Sequence, residues 1–352
     1  MHDLDSRDFV LRHDPKGMFG LFEAVPDQCR RARKIAEEAE IAPLRDRPNV
    51  VGLTGLGGSA AGGDFARALF EAQGAVPFFV NRDYHLPHFV GLGDVVFCAS
   101  YSGDTEETLS AYADAKRAGA RIIAVTSGGQ LGEMAKGDGQ TVITVPGGQP
   151  PRSALGFMLI PMLVACVRLK LLPSIPFDQV FDGMERTIRS IAVEVEVEGN
   201  RAKKLAQAIH GGIPVIYGLG SWQAVVANRW KGQINENAKN LCFTNVYPEL
   251  NHNEVLGWIG APEQGARKWV GIRLEDGTES AKMKARASVT EGLISSAVDF
   301  HTVAGQGESL LEKMLSLASY GDFVSLYLAA LNAVDPETIE YIDRLKAELA
   351  KV

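Results

Sequence analysis

Two segments of this chain share one local plan, and that recurrence limits its architecture more than any other feature. Val51-Gly-Leu-Thr-Gly-Leu-Gly-Gly-Ser59 and Pro214-Val-Ile-Tyr-Gly-Leu-Gly-Ser221 each run from an apolar strand through a glycine-rich turn, past a serine, into a helical pattern. They lie about half a chain apart, which reads as a duplicated α/β domain. Length agrees, because 352 residues exceed one ordinary core.

The pattern around the first copy is strand–helix alternation with short connections. An amphipathic helix is expected over 18–40, with Pro26 marking a break. Strands are expected over 49–53, 76–80, 94–99, 122–125 and 141–145, with helices over 65–72, 106–118 and 131–136. Thr54–Gly63 reads as a turn. A largely apolar helix follows over 152–170, and 180–209 reads as one long helix or two. The pattern then restarts with a strand at 213–217, a helix at 222–240, strands at 269–273 and 297–303, and helices at 309–332 and 336–350. The expected fold class is therefore α/β, two domains, each a parallel sheet flanked by helices on both faces. Pro173 and Pro176 interrupt the periodicity near Leu172–Phe177. One domain with a leading helix is expected over 1–175, and a second with C-terminal helices over 176–352.

Composition removes several function classes. Hydrophobic residues at 46% and charged residues at 22% are globular values. A formal charge of −7, with no basic tail, makes nucleic acid a poor partner, since phosphate contacts dominate that affinity. Cys29, Cys98, Cys166 and Cys242 are far apart, so neither a zinc site nor a redox pair is indicated. Cys98 and Cys166 lie in apolar runs and read as buried thiols. The seven histidines show no ligand spacing. Met-His-Asp-Leu-Asp is not a secretory leader, and the apolar stretch Ala154–Val167, interrupted by Pro161, is too short to span a bilayer. A soluble, cytoplasmic protein without membrane contact is expected.

Two turns carry the chemistry. Gly55-Leu-Gly57-Gly-Ser-Ala60 fits the dinucleotide pattern GxGxxA, but that pattern also wants an acid at the end of the next strand. Asn81 and Arg82 stand there, with Asp83 late. The same backbone, with Ser59, suits a phosphate on the amides of a helix start. It also suits mere close packing of helix on strand. The second turn, Ser100-Tyr-Ser102-Gly-Asp-Thr105-Glu-Glu-Thr, sets three hydroxyls within six residues, between a buried strand and a helix. Ser102 or Thr105 could be only an N-cap there. Two hydroxyl-bearing turns on one sheet favour a neutral phosphate cradle.

Gly57-Gly58-Ser59 followed by the Ser-Tyr-Ser-Gly-Asp-Thr turn resembles the sugar isomerase (SIS) domain. Pro151-Arg152-Ser-Ala-Leu, Asn235-Glu236-Asn-Ala-Lys239 and Pro248-Glu-Leu-Asn-His252-Asn-Glu254 narrow the resemblance to the bifunctional phosphoglucose/phosphomannose isomerases, over Val51 to Lys346. The resemblance implies metal-independent conversion of glucose 6-phosphate to fructose 6-phosphate, extending to mannose 6-phosphate, with no cofactor. It implies Gly57, Gly58, Ser59, Ser100, Ser102 and Thr105 at the phosphate. Glu236 matches the family's base, His252 its ring-opening histidine, Arg152 its arginine beside the enediolate, and Lys346 a lysine near the sugar. It further implies a homodimer with the site near the interface, to which the partner chain could lend His252.

The chemistry of the reaction asks for such groups. Moving a proton between C1 and C2 needs a carboxylate base, and opening a cyclic hexose near pH 7 suits an imidazole. A developing enediolate needs a fixed positive charge. Arg152 stands at an expected helix start, where cations are disfavoured, so a ligand would account for it. Two departures stand out. Asp104 occupies a position where the family often has Asn, and Ile339 falls in the register of a threonine linked to accepting both epimers, with Thr338 adjacent. The rivals are a phosphosugar-sensing SIS protein without chemistry and a nicotinamide oxidoreductase. A sensor would have no use for Glu236 and His252.

Overall fold

A computed structural model describes residues 3–261, 268–349 and 351. In chain order the first elements are α1 (Arg7–Leu11), α2 (Met18–Glu23), α3 (Val25–Glu38), β1 (Val51–Thr54), α4 (Gly57–Gln73), β2 (Phe78–Asn81), β3 (Val95–Ala99) and α5 (Glu106–Arg117). Then come β4 (Arg121–Thr126), α6 (Gly129–Gly137), β5 (Thr141–Thr144), α7 (Leu155–Arg168) and α8 (Phe177–Ser190). The rest are α9 (Arg201–Ile209), β6 (Ile213–Gly218), α10 (Ser221–Ala238), β7 (Phe243–Val246), α11 (Glu254–Gly257), β8 (Trp269–Glu275), α12 (Ala281–Ile294), β9 (Val298–Ala304), α13 (Leu310–Leu331) and α14 (Glu340–Leu349). By contacts the chain forms two compact units. One comprises Ala24–Asp182 with Ser309–Glu312; the other comprises the residues up to Glu23, Gly183–Glu308 and Lys313 onward.

The first unit holds a five-stranded sheet of order β2-β1-β3-β4-β5, parallel throughout. Its central strands β1 and β3 are wholly buried, as all-parallel strands between helix layers must be. The second unit holds a four-stranded parallel sheet of order β7-β6-β8-β9. Each sheet runs second-first-third-fourth by chain order, so the repeated strand–glycine–helix motif opens two copies of one topology. The expected α/β class holds in both.

Several boundaries move for physical reasons. The expected helix over 18–40 is two, α2 and α3, parted at Ala24, with Pro26 in the first turn of α3, where its missing N–H is harmless. The expected turn Thr54–Gly63 is helical from Gly57. Two of its glycines serve packing instead: a Cβ on Gly63 would meet the Leu53 side chain at 2.9 Å, and one on Gly62 the Met158 backbone at 3.2 Å. The 180–209 segment is two helices, α8 and α9. Asn200 starts the second, its Oδ1 accepting the Ala202 and Lys203 amides at 3.0 Å each. Strand β7 and helices α1, α11 and α12 have no counterpart among the expected elements. A longer helix than the Ala154–Val167 stretch supplies is α13. α13 is long and apolar enough to cross a membrane, and 94% of its apolar window is buried inside the protein, as in a core helix. Glu312, Lys313 and Asp322 dilute its pattern in the sequence.

Candidate active site

The first sheet reverses its winding between β1 and β3, and open α/β sheets bind ligands outside the carboxyl ends of strands at such a point. Both hydroxyl turns lie there. They touch closely: a Cβ on Gly55 would fall 2.6 Å from the Ala99 carbonyl oxygen, so only glycine fits. Ser59 Oγ, 5% exposed on α4, accepts the Tyr101 amide at 3.3 Å. Ser100 is buried, its Oγ accepting the Gly103 amide at 3.0 Å and lying 2.9 Å from Thr105 Oγ1. Ser102 is exposed and accepts the Asp104 amide at 3.3 Å.

Neither helix start is capped by its own side chain. Leu56 holds the N-cap of α4, and Thr105 holds that of α5 without a side-chain capping bond. The N-cap reading of Thr105 is thus correct in position only, because its hydroxyl faces Ser100. First-turn amides of two helices therefore meet the same switch point, together with four hydroxyls. Asp104 does not waste this arrangement. Its Oδ1 accepts the Gln130 amide at 2.9 Å, which engages the carboxylate in the first turn of α6.

Arg152 lies on a different element from the one expected. Pro151–Ser153 form a 3-10 turn, and α7 begins only at Leu155. That turn packs on the α4 start, where a Cβ on Gly58 would meet the Pro151 carbonyl oxygen at 2.6 Å and the Arg152 nitrogen at 3.4 Å. Arg152 is 6% exposed. Gln28, buried on α3, holds the turn from behind. Its Nε2 donates to the Ser153 carbonyl at 3.0 Å, and its Oε1 accepts the Phe157 amide at 3.3 Å.

Where a dinucleotide would need an acid at the end of β2, Asn81 donates to Thr54 Oγ1 at 3.2 Å and to the Asp83 carbonyl. Burial holds the thiols protonated. All four cysteines are buried and unpaired, and burial pushes Cys29 and Cys242 up to about 12 and Cys98 and Cys166 higher still. Among the described residues no group of three His, Cys, Asp or Glu side chains is placed to hold a metal.

Glu236, His252 and the helix bearing Lys346 belong to the other unit. Glu236 sits half-buried near the end of α10 and lines a cavity of about 640 Å³ with Asn235, Lys239, Asp335, Thr338 and Ile339. Ile339 and the adjacent Thr338 thus flank the same cavity as the candidate base. Lys239 ends α10 in the left-handed conformation, and its ammonium donates to the Glu236 carbonyl at 2.8 Å and the Asp335 carbonyl at 2.5 Å. His252 is exposed at the end of a 3-10 turn, Glu249–His252, and is not among the described residues lining that cavity. Its neighbours are firmly tied: Asn251 Nδ2 donates to Thr290 Oγ1 at 2.6 Å, and Glu254 accepts from Tyr217 Oη and, at 2.6 Å, from Asn245. Lys346 lies on α14, and its side chain falls outside the described residues.

The second sheet has an equivalent switch point between β6 and β8, with a different filling. There Glu279 accepts the Asp276 amide at 2.7 Å and Gln223 Nε2 at 3.1 Å, and Lys313 pairs with Asp276 at 2.7 Å. The chain's own carboxylates occupy this turn.

Two parallel sheets of this order, flanked by helices, with a hydroxyl cradle at one switch point, define a two-domain SIS-type α/β protein. The chain belongs to the bifunctional phosphoglucose/phosphomannose isomerase family. It is 40% identical over 343 residues to the bifunctional phosphoglucose/phosphomannose isomerase of Caldicellulosiruptor bescii, covering 94% of this chain and 99% of that one. It is 38% identical to the enzyme of the same name from Aquifex aeolicus, covering 84% and 89%. The family described as bacterial phospho-glucose isomerase C-terminal SIS domain matches residues 198–349. The crystal structure of a hypothetical protein from Thermus thermophilus superposes with a TM-score of 0.73 at 15% identity, covering 98% of this chain and 92% of that one, a likeness of fold.

Proposed function

We propose that this protein interconverts glucose 6-phosphate and fructose 6-phosphate, and mannose 6-phosphate with fructose 6-phosphate, without a metal or other cofactor. The observation that carries the reading is the convergence of Ser59, Ser100, Ser102, Thr105 and two uncapped helix starts beside Arg152, in a chain of this family. In the proposed reaction the substrate phosphate rests on those hydroxyls and amides. His252 moves a proton onto the ring oxygen as the ring opens. The Glu236 carboxylate takes the proton from C2 of the open aldose, the electron pair left behind forms the C1=C2 bond as the carbonyl pair moves onto O1, and O1 takes up a proton to give the cis-enediol. The O2 hydroxyl then gives up its proton, balancing the one taken up at O1, and as the C2=O2 carbonyl forms the C1=C2 pair takes the proton from Glu236 at C1, giving the ketose and the carboxylate again. Arg152 stabilises the negative charge that develops on oxygen, and Lys346 contacts the sugar. We further propose a cytoplasmic homodimer with the site near the interface.

A coupled assay on glucose 6-phosphate and mannose 6-phosphate, with and without EDTA, tests this. Turnover of both, unchanged by the chelator, is expected. Binding without turnover would replace the isomerase by a phosphosugar sensor. Loss of activity with EDTA would overturn the metal-independent mechanism.

A further inference from the structure

We infer that a buried polar seam between α10 and α13, centred on Asp322, positions Glu236 rather than stabilising the fold; the inference rests on the isomerase reading above. Arg229, Gln233 and Asn237 recur every four residues, so they form one stripe along α10. All three are buried. Arg229 Nη2 donates to Asp322 Oδ2 at 2.8 Å, and Gln233 Nε2 donates to Asp322 Oδ1 at 2.7 Å. Asn237 Nδ2 donates to Ser325 Oγ at 2.9 Å, and Ser325 Oγ donates onward to the Asp322 carbonyl at 2.6 Å. On the adjoining stripe, Trp230 Nε1 donates to the Leu317 carbonyl at 2.7 Å. A Cβ on Gly321 would fall 2.2 Å from that indole nitrogen, so the ring rests on the α13 backbone.

A buried ion pair is a poor way to gain stability, since desolvation offsets the attraction and apolar replacements are often as stable. Directed hydrogen bonds do something apolar ridges do not. They fix both the rotation of α10 about its axis and its slide along α13. Glu236 lies between two of these locks, three residues after Gln233 and one before Asn237. An error on the order of 1 Å at a reacting group can cost about 10²-fold in rate. The seam therefore reads as the device that sets where the Glu236 carboxylate stands against the carbon acid, with Asp322 as a positioning residue.

The test compares two seam variants with wild type and with Glu236→Gln. The first, Arg229→Met/Gln233→Leu/Asp322→Leu, replaces the ion pair and its hydrogen-bond partner together. The second, Asn237→Ala/Ser325→Ala, removes both partners nearest Glu236. The expected result is an unlowered Tm for the first, an unchanged KM and phosphate inhibition constant for both, and kcat lower by on the order of 10-fold or more. If the first variant does not fold, the second decides alone. A folded seam variant with wild-type kcat, when Glu236→Gln is inactive, overturns the positioning role and leaves the isomerase reading intact. An active Glu236→Gln overturns both.

Discussion

Ser59 on α4 and Tyr101 in the turn after β3 are joined by a hydrogen bond of 3.3 Å from the Tyr101 amide to the Ser59 hydroxyl. Residues 42 apart in sequence thereby hold two helix starts at one switch point. The same hydroxyl is one of those proposed to hold the substrate phosphate.

Because a phosphate is bound alike in ground and transition states, losing a cradle hydroxyl should raise KM more than it lowers kcat. Ser102→Ala and Thr105→Ala are each expected to weaken substrate binding by about 1.5–3 kcal/mol, the worth of a hydrogen bond to a charged group. The check is a pair of steady-state curves with inorganic phosphate as competitor. Equal competition against wild type and both variants would move the cradle elsewhere.

The two switch points differ in their filling, and this predicts stoichiometry. With Glu279 and Asp276 occupying the second turn, a phosphate there would meet like charge. Calorimetric titration should find one phosphate equivalent per chain, abolished by cradle substitutions. A second equivalent that survives them would contradict the assignment.

Asp276 offers a stability test with a defined sign. Burial raises its pKa, but hydrogen bonds from Lys313 and Thr278 outweigh that and hold the carboxyl below its usual 3.8. A depressed carboxyl contributes stability above the unfolded value, and that contribution is lost as pH falls through the folded value. Asp276→Asn should therefore lower Tm near neutral pH, with the difference closing below about pH 4. A difference independent of pH would mean that the charge is not what matters.

His252 should matter only to closed rings. His252→Ala is expected to lose on the order of 10²-fold or more in turnover of cyclic glucose 6-phosphate. An open-chain phosphosugar should still exchange its C2 hydrogen with solvent. Loss of exchange on the open-chain substrate as well would end the division of labour between His252 and Glu236.

Local features were the legible ones. The strand–glycine–helix repeat and the Ser100–Thr105 turn announce themselves because their chemistry lies within a few residues. The glycines of α4 misled, since glycine marks a turn and a close helix contact with the same letter. Arg152 reads as a helix start because a 3-10 turn has no periodicity of its own. Strand β7 is four half-exposed residues on a sheet edge, too short and too polar to read. Gln28 and Asp322 escaped because their partners are distant: Gln28 reaches a residue 125 positions away, and Asp322 one 93 away. A signal was there for both, a polar residue on an apolar stripe of α3 and a lone buried acid in the middle of α13.

The central claim is that Glu236 carries the proton between C1 and C2. Glu236→Gln keeps the shape and removes the acceptor. The direct measurement is exchange of the C2 hydrogen of an open-chain substrate with solvent, followed in a single turnover. Exchange is expected to fall by on the order of 10²-fold or more in Glu236→Gln while the substrate still binds. Exchange at the wild-type rate in a folded Glu236→Gln protein would contradict it.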